Sequence, residues 1–135
     1  MRPYLIFLLS WLIPGSGHFI HKKYTKALVF FSGILLLVIL GIIMEGKFFL
    51  PYTETSNNYG VVQRQFHPLL ILGFLGDLGL GLFNVIVNLL GFAKGNIESV
   101  TYHYGTTYLV SAGLLNYLVA LNAFDLARKG GRNNV

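Results

Sequence analysis

The run ALVFFSGILLLVILGIIM, Ala27 to Met44, carries no charged residue, and no other feature restricts this chain's folding as much. Wound as a helix it spans roughly 27 Å, close to the thickness of a bilayer's hydrocarbon core. Inside lipid every backbone N–H and C=O must find its partner within the chain, so a lone segment of this kind is helical. Composition agrees: 54% of the chain is hydrophobic and 11% charged, against about 25% charged in soluble domains.

Four apolar segments follow from the same reading, at residues 3–20, 27–44, 68–93 and 105–127. The expected fold is all-α: a single transmembrane domain over residues 1–135, built as an integral membrane bundle of about four helices. The first helix should be broken or kinked between Pro14 and Gly17, because proline offers no N–H and its ring clashes with the preceding turn. Residues 45–67 read as a polar loop with room for a short helix or strand of its own, and Glu98 to His103 belong to a shorter connector. No internal repeat is evident. Arg2, the apolar run Tyr4 to Ile13 and the small residues Gly15 and Gly17 also fit a cleavable signal peptide. With four crossings, Arg2, Lys47, Arg64, Arg128, Lys129 and Arg132 share one side and Lys22, Lys23, Lys26 and Lys94 the other, which leaves the orientation nearly balanced.

Several function classes drop out. The chain has no cysteine, which excludes disulfides, thiolate nucleophiles and cysteine-ligated metals. The net charge of +5 sits at the ends of apolar segments, where lipid head groups are the simpler partner than nucleic acid. His18 and His21 lie one helical turn apart, but two histidines without a third ligand do not make a metal site. Ser16 and His18 lack an acidic orienter nearby in sequence. GDLGLG, Gly76 to Gly81, has neither the preceding strand nor the lysine of a phosphate loop.

WLIPGSGHFIHKKYTKALVFF, Trp11 to Phe31, places a Pro-Gly-Ser-Gly break between an apolar helix and a basic turn. It reads as a tight helical hairpin whose His18, His21, Lys22, Lys23 and Lys26 contact head groups. The stretch resembles the Pro-Gly-x-Gly-His signature of an uncharacterised family of small bacterial multi-pass membrane proteins, distantly similar to the two-transmembrane-helix domain. YGTTYLVSAGLLNYLVALNAFDLARKG, Tyr104 to Gly130, resembles the far end of the same family, with Asn122 and Phe124 where an acidic residue and a tyrosine are common. The resemblance implies a bacterial inner-membrane protein and supplies no chemistry.

GFLGDLGLGLFNVIVNLL, Gly73 to Leu90, hides a carboxylate in an apolar run. On one continuous helix Gly73, Asp77, Gly81, Asn84, Asn88 and Gly91 fall on a single arc, and Gly105, Ala112, Gly113, Asn116, Ala120, Ala123 and Ala127 form a similar arc on the last segment. Such faces associate through close backbone approach and interhelical hydrogen bonds. The expected contact runs from Asn84 or Asn88 to Asn116. An ionised carboxylate at the bilayer centre costs about 2.5–3.5 kcal/mol, so Asp77 is expected to be neutral, paired or wet. It serves either as a helix anchor or as a proton or cation site.

These readings converge on a non-catalytic membrane protein, a scaffold or accessory subunit, with no cofactor and no catalytic or metal site. Its partners are membrane lipids, with other membrane proteins or a second copy beside them. A small transporter or ion-conducting oligomer using Asp77, Asn84, Asn88 and Asn116 is the alternative. A lipid-handling enzyme using His18 or His21 stands behind both.

Overall fold

The computed structural model describes residues 2–50, 52–56, 62–92 and 94–132. Pro51, residues 57–61 of the expected polar loop and Ala93, the expected end of the third segment, lie outside them. Among the described residues there are six helices and one antiparallel hairpin: α1 Pro3–Leu12, α2 Ser16–Ile20, α3 Tyr24–Ile43, β1 Tyr52–Ser56, β2 Val62–Phe66, α4 Pro68–Leu78, α5 Leu82–Leu89 and α6 Tyr102–Arg132. Two of the helices, α3 and α6, are long and apolar enough to cross a membrane, and α4 with α5 would make a third span only if a pair bent by 100° is counted as one. The chain is therefore a membrane protein whose helices differ from four continuous rods.

The first expected break is present, with a visible cause. Ile13, just before the proline, is extended at φ −123° and ψ 109°, the region into which Pro14 pushes its predecessor. Gly15 then takes φ 80° while facing the Ala27 carbonyl at a distance that leaves no room for a Cβ. The chain reverses and α2 returns beside α1.

The third segment departs from the continuous helix over 68–93. It stops at Leu78, and Gly81 adopts φ 56° and ψ −119°, a conformation that a side chain strongly disfavours. A Cβ on Gly81 would collide with the Trp11 carbonyl. The polar arc drawn from Gly73 through Gly91 is consequently cut in two, since residues before and after the bend no longer share a face.

Contacts along α6 fix the arrangement. α3 runs antiparallel to it, with Gly41 against Leu109 and Gly105, and Gly46 against Gly105 and Thr106. α1 is also antiparallel: the Tyr4 and Phe7 rings meet Phe124, Ile6 packs with Ala123 and Ala127, and Trp11 reaches Asn116. α2 turns back, placing Gly17 against Ala123. From the other end α4 runs parallel to α6, with Gly76 against Val110 and Gly79 against Gly113 and Tyr117. α5 leads back to a bridge between Lys94 and Lys47, and the Asn96 N–H donates to the Glu45 carbonyl at 3.3 Å. Both hairpins thus begin and end at one end of the molecule, α1–α2 where α3 starts and α4–α5 where α3 stops.

The core between these layers is Ile34 and Val38 of α3, Leu80 at the bend, Val87 of α5, and Leu109, Ala112 and Val119 of α6. The polar loop holds the β1–β2 hairpin, paired from Tyr52 with Phe66 to Ser56 with Val62.

Candidate functional site

Breaking a helix in an apolar environment frees backbone carbonyls that must be satisfied elsewhere. The two breaks meet at one point, and the residue there is Asn116. Its side-chain NH₂ donates to the Trp11 carbonyl at 2.7 Å and to the Gly79 carbonyl at 2.8 Å. Trp11 lies in the last turn of α1 and Gly79 caps α4, so one amide uses both donors to close two helix C-termini. Those termini carry the negative ends of the helix dipoles, which makes a donor pair the fitting group between them. Asn116 is fully buried, and its position one turn beyond Gly113 lets α4 come close enough for the contact.

The remaining carbonyls of the α4 bend are accounted for in turn. Leu75 accepts from the Gly79 N–H and, at 3.0 Å, from the Tyr117 hydroxyl. Asp77 accepts from the Leu80 N–H and from the Asn84 side-chain amide at 3.0 Å. Leu78 accepts from the Gly81 N–H and Leu80 from the Phe83 N–H. Gly113 lies so close to the Gly76 carbonyl that no larger residue fits between the helices.

Asp77 is fully buried and looks the other way, toward the segment that follows α3. Its Oδ2 accepts the Phe49 N–H at 2.6 Å, while the Phe49 ring covers Gly73. Nearby, the Lys47 N–H donates to Thr106 Oγ1 at 3.2 Å. The carboxylate therefore ties the strand-like segment at 47–50 to α4. Oδ1 of Asp77 and Oδ1 of Asn116 have no protein partner.

The expected Asn84 or Asn88 to Asn116 hydrogen bond does not form. The bend at Gly79–Gly81 turns α5 away, so Asn84 binds back to Asp77 and exposed Asn88 donates to Asn84 at 2.9 Å. His18 leaves the expected head-group set as well. It is fully buried, with Nε2 2.9 Å from Asn122 Oδ1 and its ring 5.1 Å from that of Phe30. His21 is half-buried, whereas Lys22, Lys23 and Lys26 are exposed. Among the described residues no group of three or more His, Asp or Glu side chains is placed to hold a metal ion.

Tyr117 and Phe49 were not singled out from the sequence, and Asn122, marked there only as a departure from the family pattern, proves to be the partner of His18. Tyr117 had a readable signal, because Gly113, Asn116, Tyr117 and Ala120 share one helix face at spacings of three and four residues. Phe49 is recruited through its backbone N–H, which leaves no trace in residue type.

Comparison with curated proteins and with solved structures gave no match. A family model does match, over residues 5–134, and it covers both broken helices and both long ones. The chain belongs to that family, a family of unknown function (DUF6677).

Proposed function

We propose that this protein is a non-catalytic integral membrane protein, a scaffold or accessory subunit, in which two long helices cross the bilayer and two broken hairpins enter it from opposite faces. The observation that carries this reading is the Asn116 junction. At about 1.5 Å per residue α1 and α4 each reach roughly 15 Å, half of a bilayer core, and their C-termini meet there. Asn116, Asn84 and Asp77 are engaged with the backbone of their own chain, which suits a structural device better than a conducting path or a catalytic group. His18, engaged with Asn122, lacks the acidic orienter of a general base.

Re-entrant hairpins also change the charge balance. Arg2, Lys22, Lys23, Lys26, Arg128, Lys129 and Arg132 fall on one side, and Lys47, Arg64 and Lys94 on the other. Short loops rich in Lys and Arg stay in the cytoplasm. Both termini and the HKKYTK turn are accordingly cytoplasmic, and the β hairpin faces the opposite side. A bacterial inner membrane is the setting that fits the Pro-Gly-x-Gly-His resemblance.

Purification from native membranes in mild detergent tests the scaffold reading: a stoichiometric protein partner or a defined homo-oligomer is expected, and a lone monomer would contradict it. Transport is the second reading, favoured by one observation, the opposed pair of broken helices, an arrangement common in secondary transporters. Proton-coupled flux in reconstituted vesicles that disappears in Asp77→Asn would put transport first.

A further inference from the structure

We propose that the cleft between the α1–α2 hairpin and α3 holds an acyl chain of one anionic phospholipid, with its phosphate at Lys22 and Lys23 of the turn before α3. The cleft exists because α2 is only five residues long: the chain covers Ala27 through Gly15 but leaves Tyr24 and Leu28 exposed. Its volume is about 370 Å³, within the range of small-molecule sites. Ile13 and Pro14 of the first break line it together with Phe19, Tyr24, Leu28 and Phe31. The Phe19 and Tyr24 rings meet edge to face at 5.0 Å and flank the turn that carries the lysines. Leu28 is 71% exposed, so the groove opens sideways toward lipid.

Charge selects the occupant. Lys22, held at φ 58° in the turn, and Lys23 are both exposed, and the first turn of α3 has no acidic residue. Asp125, the acid at this end of the molecule, is paired with Lys129 at 2.7 Å. A basic cluster at the mouth of an apolar groove matches a phosphate on a hydrocarbon chain, whereas the choline of a zwitterionic lipid would be repelled. From Tyr24 to Phe31 the groove follows α3 for roughly 10 Å. The site requires the lysines only at head-group depth, a condition met whichever face of the membrane they occupy.

The test uses the full chain in phosphatidylcholine vesicles doped with spin-labelled phosphatidylglycerol or spin-labelled phosphatidylcholine, reading the motionally restricted fraction. The expected result is a preference for phosphatidylglycerol of about fivefold, equivalent to one lysine–phosphate contact. Lys22→Gln and Lys23→Gln together should remove the preference and leave chain occupancy. Leu28→Trp, which fills the groove at an exposed position, should reduce restriction of both lipids with helicity unchanged. Added inorganic phosphate should not displace the labelled lipid. Equal restriction of the two lipids by the wild type, or a preference that survives the double substitution, would overturn the proposal. So would a disulfide-linked dimer formed quantitatively through Leu28→Cys, since a second copy would then occupy the groove.

Discussion

Asn116 performs a task open to few side chains, because closing two helix C-termini at once requires two donors on one short, planar group. Asn116→Leu keeps the branched skeleton and removes both, leaving the Trp11 and Gly79 carbonyls unpaired at a cost of about 1–3 kcal/mol each. Asn116→Asp should be no better, since a carboxylate brings acceptors to acceptors. Asn88→Leu, on an exposed face and bonded only within α5, should stay within about 0.5 kcal/mol of the wild type. Equilibrium unfolding in mixed detergent ranks the three.

Asp77 separates charge from hydrogen bonding. Asp77→Asn retains an oxygen to accept the Phe49 N–H and should preserve the fold, whereas Asp77→Leu should release the segment at 47–50 and expose the adjoining loop to protease. Equal protease resistance in both variants would remove the carboxylate from any role in anchoring that segment.

At the scale of the element, the two breaks have different physical origins and were unequally legible. Pro14 is readable directly, since a missing N–H and a steric clash act wherever proline occurs. The bend at Gly81 is not, because glycine is tolerated inside membrane helices and Gly73, Gly76 and Gly79 dilute the signal around it. What demands Gly81 is the approach of Trp11, far away in sequence. Gly15→Ala and Gly81→Ala should each destabilise the protein by more than the roughly 1–2 kcal/mol of a left-handed residue, because a carbonyl overlap adds to the backbone strain. Gly33→Ala, with open space around it, is the matched control and should be neutral or stabilising. Thermal melts in detergent with all three variants distinguish tertiary contact from helix propensity. The same logic explains the misplaced polar arc: a periodicity argument holds only while the helix continues, and Asn84 and Asn88 lie beyond the bend. Asn116, on an unbroken helix, was identifiable as a packing residue, although its partners are carbonyls and not side chains.

Across the whole molecule the chain repeats one plan twice in opposite senses. A half-length helix starting with proline, a break, a short return helix and a long helix occur as α1–α2–α3 and again as α4–α5–α6. No repeat is visible in the sequence because the plan needs only a breaker and an apolar half-helix, supplied by Pro-Gly in one half and by Gly-Leu-Gly in the other. The inverted order brings two helix C-termini together midway along α6, where Asn116 joins them, and it gathers most of the basic residues at one end.

That distribution makes topology the most direct measurement. The chain has no cysteine, so Lys23→Cys, Val100→Cys and Lys129→Cys can be introduced singly and labelled in sealed vesicles with a membrane-impermeant maleimide. With two re-entrant hairpins, Lys23→Cys and Lys129→Cys react from the same face and Val100→Cys from the opposite one. Four full crossings would instead pair Lys23→Cys with Val100→Cys, and that result would contradict the meeting of two half-helices at Asn116.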